Sequence, residues 1–160
     1  VGKLIKEPAS IGCARLRAQV ADAVANDAIY GPSAEAVKRL LGIEYELILQ
    51  QHLAARRIPF MSEEQLRTRG EAKTPDALLP VPILVDGHQV HWIDSKATFG
   101  DVESHSEYAA QFCGYVNRFA GGLVIYWFGY DESIEAGADV LVRDDFPRAA
   151  ELMSHFVLRS

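Results

Sequence analysis

Long apolar runs, clustered cysteines and a leader segment are all missing from this sequence. No apolar run approaches the ~20 residues that a membrane helix requires, and no basic-then-apolar signal segment opens the chain. We therefore expect no membrane span. Cys13 and Cys113 lie too far apart in sequence to form a ligand cluster, which predicts two reduced thiols in an intracellular protein.

Several catalytic signatures are missing as well. The chain has no G-x-S-x-G elbow, no Walker A loop and no zinc-ligand spacing. Hydrolases of the serine and P-loop types are therefore poor fits. His91 and His105 have no companion at ligand spacing, so we interpret them as surface or packing residues.

The length and composition are those of one globular domain. The chain has 160 residues, 49% of them hydrophobic and 24% charged, which is enough to bury a core without disulfides. We predict an N-terminal helical segment over residues 1–32, followed by the domain itself over 33–160. Because the first residue is Val1 and not Met, we expect the chain to be part of a longer protein.

Negative charge is concentrated in the last third of the sequence. The net charge is −6, which by itself argues against a nucleic-acid partner. Residues 1–73, however, carry eleven Lys/Arg against nine Asp/Glu, whereas residues 97–160 carry four against ten. A cleft lined by the first half can still bind phosphates, although tight nonspecific binding is not expected.

The hydrophobic patterns predict an α/β fold. The predicted elements, in order, are a helix over 10–29, a helix over about 34–57 with Ser33 as its N-cap, a hairpin over 76–94, a helix over 104–119 with a Ser104–Glu107 capping box, a buried strand over 121–130, a strand near 138–143 and a helix opening at Pro147. This order predicts a mixed β-sheet flanked by helices.

The hairpin carries the clearest turn signal. Asp86-Gly87 separates two apolar runs, as in a two-residue β-turn. The prolines at 75, 80 and 82 weaken the first run as a strand and predict an edge position or bulges.

The same hairpin brings together residues that could do chemistry. Asp94 and Lys96 alternate onto one side of a strand, and Asp76 can sit across from Asp94 when the two strands pair. Two carboxylates beside an ammonium could hold Mg²⁺, which prefers oxygen ligands. The alternative is that both aspartates are strand-end residues and Lys96 is solvated, since such a pattern also occurs by chance.

A third carboxylate is predicted from the second helix. On a helical wheel, Glu44 sits in the middle of an apolar stripe that includes Leu41 and Leu47. A carboxylate in such a stripe needs a partner, which could be a metal or a buried salt bridge. Glu46 falls on the opposite side of the wheel and is interpreted as solvated.

The helix after the hairpin presents a polar-aromatic face. Tyr108, Gln111, Tyr115 and Arg118 recur on one side of it. That side could contact a phosphate backbone, or it could pack on the sheet with Arg118 interacting with the helix C-terminus. The sequence does not separate these interpretations.

These residues resemble a known nuclease signature. Glu44, Pro75-Asp76 and Asp94-Ser95-Lys96 resemble the E…PD…(D/E)xK pattern of restriction-endonuclease-like nucleases, and the segment from Gln111 to Tyr115 looks like the QxxxY motif of their RecB-like branch. The segment G-x-E-Y-E-L-I is similar to the first helix of archaeal Holliday-junction resolvases. In those proteins the first glutamate binds metal, which again favours Glu44. Here the preceding glycine stands two residues before that glutamate rather than four.

A closer resemblance covers residues 25–146. The stretches IPFMSEEQLRTRGEAKTPD, HWIDSKATFGD and YVNRFAGGLVIYWFGY are similar to the TPD-motif family of PD-(D/E)XK nucleases. That resemblance implies a restriction-endonuclease-like core, Mg²⁺-dependent phosphodiester cleavage with Mn²⁺ as a substitute, and residence in the nucleus or cytoplasm of a eukaryotic source. It also implies codanin-1 as a protein partner where codanin-1 exists.

Our prediction is therefore a metal-dependent nuclease, with DNA favoured over RNA and selectivity for nucleic-acid structure left open. Asp76, Asp94 and Glu44 hold the metal, the Ser95 carbonyl is an additional ligand and Lys96 positions the attacking water. The predicted substrate contacts are Lys73, Gln111, Tyr115 and Arg118. Two alternatives stay open: an adaptor that keeps the fold and binds a protein partner, and a nucleic-acid-binding module without cleavage. The oligomeric state is not predicted.

Overall fold

The fold is taken from a computed structural model that describes residues 13–27, 31–148 and 152–154. The chain divides into two compact units, residues 1–41 and residues 42–160. The predicted division at residue 32 remains a prediction.

The described elements are four helices and six strands. They are α1 (Ala14–Ala25), α2 (Pro32–Ala55), β1 (Met61–Ser62), α3 (Glu63–Thr68), β2 (Ala77–Val85), β3 (His88–Lys96), α4 (Val102–Phe119), β4 (Gly122–Tyr126), β5 (Val140–Arg143) and β6 (Leu152–Ser154). Across the described ranges, none of these helices is long and apolar enough to cross a bilayer.

The first unit contains α1 and the beginning of α2. The predicted helix over 10–29 is confirmed for Ala14–Ala25, while residues 10–12 and 28–29 lie outside the described residues. The predicted N-cap at Ser33 is wrong, because α2 already begins at Pro32. Proline suits the first helical position since its φ is preset and its missing N–H would have no partner there.

The second unit is built on a mixed sheet. Its strands follow the order β1-β2-β3-β4-β5, and β6 pairs with β2. β2 and β3 are antiparallel, whereas β3, β4 and β5 run parallel to one another. The predicted α/β class and mixed sheet flanked by helices are confirmed, and the arrangement is consistent with a restriction-endonuclease-like core.

The hairpin forms as predicted and contains an irregularity at its prolines. Asp86 and Gly87 have φ values of 48° and 81°, the left-handed pair that a two-residue type I′ turn requires. The register shifts between Leu78 and Ile83, so the predicted bulge is confirmed. An edge position is not observed, because β2 pairs with β3 on one side and with β1 and β6 on the other.

Strand β4 is buried on both faces, as its apolar run predicted. It is shorter than the predicted 121–130, because it ends at Tyr126 and Phe128 beyond it is exposed. All five of its residues are buried. Its first residue has to be glycine, because a Cβ at Gly122 would overlap the Trp92 indole ring on the neighbouring strand. Burial between two strands and two layers explains why the run shows no alternation.

The sheet separates two apolar clusters. Leu49 and Leu53 of α2 pack in one cluster together with Leu123. Trp92 lies in the other cluster, which is closed by Phe112 of α4. Asp94 and Lys96 share the strand face of Trp92, so their side chains lie on the side of the sheet that α4 covers.

Two predicted helix ends differ from the structure. The N-cap of α4 is Asp101, whose carboxylate accepts from the Ser104 N–H at 2.7 Å while the Ser104 hydroxyl accepts from the Asp101 N–H. Ser104 is therefore the N3 residue of the capping box and not its N-cap. Beyond Pro147 the predicted helix falls partly on residues 149–151 and 155–160, outside the described residues. Where the chain is described again, Leu152–Ser154 forms a strand, so the helix prediction is wrong there.

Candidate active site

A polar cavity of about 500 Å³ opens where the paired strands β2 and β3 meet α4. Two carboxylates from the paired strands lie within it, and further charged groups come from α2 and α3. The lining residues are Glu46, Glu63, Arg67, Lys73, Thr74, Asp76, Asp94, Ser95, Lys96, Gln111 and Tyr115. All of them belong to the second unit.

Asp76 and Asp94 meet because of the hairpin register. Ala77 pairs with Ile93, and continuing that register places Asp76 opposite Asp94. The Ser95 N–H donates to Asp76 Oδ2 at 2.7 Å, which fixes the orientation of the Asp76 carboxylate. Asp94 itself is only 2% exposed.

The two carboxylates disfavour one another's charge. Burial raises the pKa of Asp76 well above its usual range, and the Asp94 carboxylate beside it raises the pKa further, while the Ser95 N–H opposes both effects. Such a pair needs a shared proton or a cation to be stable. Since Mg²⁺ is commonly bound by one or two carboxylates together with waters and substrate phosphate, these side chains fit that ion.

The described residues do not provide a complete set of protein ligands for a metal. Within these ranges, no group of three or more His, Cys, Asp or Glu side chains is arranged to hold an ion. The predicted three-carboxylate set is therefore not assembled as such. Two adjoining carboxylates leave most coordination positions to water or phosphate, as is usual for Mg²⁺ and not for Ca²⁺.

Lys96 lies beside this pair. Its Nζ is 3.2 Å from Asp94 Oδ1 and 4.3 Å from the centre of the Tyr108 ring, and only 15% of its side chain is exposed. The Lys96 ammonium thus contacts both a carboxylate and the face of an aromatic ring. Lys96 is therefore a localised positive charge in a cavity whose other buried charged side chains are carboxylates.

A chain of hydrogen bonds connects α4 to the loop before β2. Gln111 Nε2 lies 3.2 Å from Asp94 Oδ2 and 2.7 Å from the Tyr115 hydroxyl, which in turn donates to the Thr74 carbonyl at 2.8 Å. Burial raises the pKa of the Tyr115 phenol, so it stays protonated. Gln111 and Tyr115 thus orient Asp94 and the Thr74-Pro75-Asp76 segment.

The helix carboxylate at this cavity is Glu46 and not Glu44. Glu44 is exposed, as are Ile43 and Leu47, which are 50% and 52% exposed. Glu46 is half-buried, and its pKa is raised by burial first and then by Glu63 and Asp94. The predicted position of Glu44 on the packed face of α2 is wrong, because that apolar stripe is not the stripe that meets the sheet.

The face of α2 that packs against the sheet has a different sequence pattern. Tyr45 packs against Trp127 with the rings tilted by 36° and their centres 5.3 Å apart, and Leu49 and Leu53 are fully buried. These positions recur at i, i+4 and i+8, and Glu46 adjoins them. An aromatic residue at the start of a Leu-x-x-x-Leu spacing could have favoured this face from sequence alone.

Sequence reasoning also missed two charged residues of α3. Glu63 Oε1 accepts from Arg67 at 2.6 Å and from the Thr74 hydroxyl at 3.2 Å. Glu63 therefore joins α3 to the loop that delivers Asp76. A capping box at Ser62 and Gln65 was the available signal that α3 begins here.

The remaining predicted residues are divided between the cavity and its surroundings. Lys73 lines the cavity in a left-handed backbone conformation, with φ at 60°. The Ser95 hydroxyl accepts from the Trp127 indole at 2.8 Å. Arg118 does not line the cavity; it is ion-paired with Glu71 and donates to the Ala72 carbonyl at 2.6 Å.

The fold and the cavity together define an α/β protein with a carboxylate-rich cleft at the end of a hairpin, which is consistent with a nuclease-like fold. A family model described as "Protein of unknown function TPD sequence-motif" matches residues 12–146. The chain therefore belongs to the TPD-motif family.

Curated relatives carry the name CDAN1-interacting nuclease 1. The protein of that name from Danio rerio is 43% identical over 150 residues, covering 92% of this chain and 50% of the relative. The Homo sapiens protein is 38% identical over 160 residues, covering 98% and 57% respectively. The chain thus spans about half the length of these relatives. No solved structure matches it.

Proposed function

We propose that this chain is a metal-dependent nuclease domain of the PD-(D/E)XK type that hydrolyses phosphodiester bonds in nucleic acid. One observation carries the proposal: Asp76 and Asp94 adjoin at the end of a hairpin, with Lys96 3.2 Å from Asp94. Packing does not require two like charges to face one another, and such an arrangement is costly without a counter-ion. The names of the relatives, which call them nucleases, agree with the proposal.

The metal would be held by Asp76 and Asp94, with the Ser95 carbonyl as a further ligand. Mg²⁺, or Mn²⁺ in its place, would lower the pKa of a bound water and offset charge on the scissile phosphate. Gln111 keeps one Asp94 oxygen oriented, and the Ser95 N–H does the same for Asp76. These contacts hold the ligands in place before substrate binds.

Lys96 and Glu46 have complementary roles in this proposal. The Lys96 ammonium donates one hydrogen bond toward Asp94 and has two further N–H groups for a water or a phosphate oxygen. Glu46 is the α2 carboxylate that lines the cavity, the position that the sequence prediction gave to Glu44. Burial raises the pKa of Glu46. A carboxylate with a raised pKa is suited to accept a proton from water near neutral pH.

The cavity rim supplies charge for the phosphate backbone. Arg67 and Lys73 line the cavity and are exposed. Lys73 can contact phosphates directly, whereas Arg67 is held in an ion pair with Glu63. Gln111 and Tyr115 complete the predicted contact set, whereas Arg118 reaches a substrate only if its pairing with Glu71 opens. We favour DNA over RNA as the substrate.

The test is a Mg²⁺/Mn²⁺ titration over labelled DNA and RNA of single-stranded, duplex, flapped and branched form. Wild-type protein should give metal-dependent products, and Lys96→Ala should lose about 10²–10⁴-fold in rate while keeping its fold. Lys38→Ala, at an exposed lysine ion-paired with Glu35, is the matched control. Wild-type-like cleavage by a metal-supplied Asp94→Ala preparation would rule the assignment out.

A second pair of variants compares two glutamates on one helix. Glu46→Gln should lower the cleavage rate, and Glu44→Gln should leave it unchanged, because only Glu46 lines the cavity. Both changes conserve size and remove one charge. Equal losses, or a loss in Glu44→Gln alone, would contradict the proposed site.

An adaptor function is the second candidate. The relatives' names give an interaction with CDAN1, so we propose codanin-1 as a partner if the source is eukaryotic, with residence in the nucleus or cytoplasm. Metal-independent partner binding without any metal-dependent product would favour this function. Strong salt-dependent binding of nucleic acid without cleavage would instead favour a binding module.

A further inference from the structure

A second cleft lies on the side of α4 that faces away from the carboxylate cavity. It has a volume of about 530 Å³ and runs between α4 and the loop over residues 133–140. Its apolar lining comes from Val102, Ala109, Phe112, Val116, Ile134 and Val140. We call it the α4 groove. Its size is that of a ligand site, yet neither proposed function uses it.

The two sides of α4 have different surroundings. Gln111 and Tyr115 line the carboxylate cavity, whereas Ala109 and Cys113, two residues away from Gln111 in either direction, line the groove. Successive positions two apart on an α-helix are about 200° apart. The helix therefore separates the cavity from the groove.

The part of the chain that contains both walls of the groove is acidic, and two of its acidic residues line the groove. Residues 97–142, which include both walls, contain seven Asp or Glu and a single Lys or Arg. That one basic residue, Arg118, is ion-paired with Glu71. Among residues lining the groove, the charged side chains are Glu135 and Asp139, both exposed. Nucleic acid and acidic ligands are therefore repelled from this side of the molecule.

We propose that the α4 groove is a docking site for a segment of a partner protein that combines large apolar side chains with Lys or Arg. The apolar floor would bury the anchors, while Glu135 and Asp139 would pair with the basic residues beside them. A helix wall opposite a loop is a surface on which an amphipathic helix can lie. The site is independent of catalysis, so partner and substrate could be bound together.

The experiment uses a labelled amphipathic Leu/Lys 14-residue peptide as the probe, measured by fluorescence anisotropy against the full chain near physiological salt. Two comparison peptides keep one property each: a Lys/Ser peptide keeps the charge and a Leu/Glu peptide keeps the apolar face. The Leu/Lys peptide should bind at least about tenfold more tightly than either. Replacing Glu135 and Asp139 by Lys together should weaken its binding about tenfold, while Glu64→Lys on exposed α3 should not.

Cys113 reports on the location directly. It is exposed and lines the groove, so in a Cys13→Ser background its alkylation should slow severalfold when the peptide is bound. Equal binding of the Lys/Ser peptide would overturn the proposal, as would undiminished Cys113 alkylation at saturation. Concentration-dependent dimerisation that protects Cys113 without any peptide would assign the groove to a second copy and would also overturn it. Cleavage assays run in parallel keep this result separate from the nuclease proposal.

Discussion

Replacing Asp76 by Asn is expected to stabilise the metal-free protein and to remove its response to Mg²⁺. The change keeps an oxygen that can accept from the Ser95 N–H at the 2.7 Å contact of the wild type. It converts the other oxygen into an amide that can donate to Asp94. One buried like-charge contact is therefore replaced by a hydrogen bond.

The order of magnitude of the effect follows from Coulomb's law. Two unit charges about 4 Å apart repel by about 4 kcal/mol at an effective dielectric constant of about 20. Lys96, 3.2 Å from Asp94, already offsets part of this repulsion. A net gain of about 2 kcal/mol remains, which corresponds to a rise in Tm of about 4–8 °C for a chain of this size.

The assay is urea or thermal unfolding in EDTA at several pH values. Because the folded-state pKa of Asp76 is raised, the folded protein holds its proton more tightly than the unfolded chain does. The wild type therefore loses stability as the pH rises from about 4 toward the raised pKa. The Asn variant lacks this loss, so its advantage should be small near pH 4 and larger near pH 7.

Asp86→Asn is the matched control, since Asp86 is exposed in the hairpin turn and paired with Arg143. It should change stability by less than about 1 kcal/mol. Added Mg²⁺ should stabilise the wild type and the control but not Asp76→Asn. An Asp76→Asn protein that unfolds more easily than wild type at both pH values would refute the reasoning.

Three further substitutions test the frame around the site. Tyr115→Phe leaves the Thr74 carbonyl without its donor and should cost about 1–2 kcal/mol in urea unfolding; an unchanged midpoint would contradict this role. Gly122→Ala places a methyl group against Trp92 and should cost about 3 kcal/mol or more, or prevent folding, as circular dichroism would show. Lys73→Gly relieves a left-handed backbone and should change stability by less than about 1 kcal/mol. It should also lower the slope of nucleic-acid affinity against salt by about one, and an unchanged slope would exclude a phosphate contact.

The sheet and the hairpin could be predicted from sequence because their signals are local. The Asp86-Gly87 turn fixes where two strands meet, and alternation then fixes which side chains share a face. The meeting of Asp76 and Asp94 follows from those two facts. The burial of Gly122–Tyr126 likewise follows from an unbroken apolar run.

The choice between Glu44 and Glu46 depends on long-range packing. A helical wheel ranks faces by apolar content, but α2 leaves Ile43 and Leu47 about half exposed. The face that meets the sheet is instead chosen by Tyr45 against Trp127, a residue eighty-two positions later in sequence. The spacing of Tyr45, Leu49 and Leu53 is a local signal for that face, but no local pattern contains the contact between Tyr45 and Trp127.

The predicted helix starts were wrong for a related reason. Ser33 and Ser104 are both acceptable N-caps, yet Pro32 and Asp101 start or cap their helices earlier. Several adjacent residues can satisfy the first N–H groups of a helix, and the surrounding chain decides among them. The error moves a boundary by one or a few residues and leaves the cavity unaffected.

The irregularity in β2 separates the turn from the end of the hairpin that carries Asp76 and Asp94. Between the pairs Leu78–Trp92 and Ile83–Val90, β2 advances five residues while β3 advances two, so three residues around the prolines are accommodated without a partner in the ladder. If the turn at Asp86-Gly87 changes in length, these unpaired residues can accommodate the change. The pairing that places Asp76 opposite Asp94 is then preserved. Evolution, or an engineer grafting a peptide, could therefore vary the tip of this hairpin while its carboxylates stay aligned.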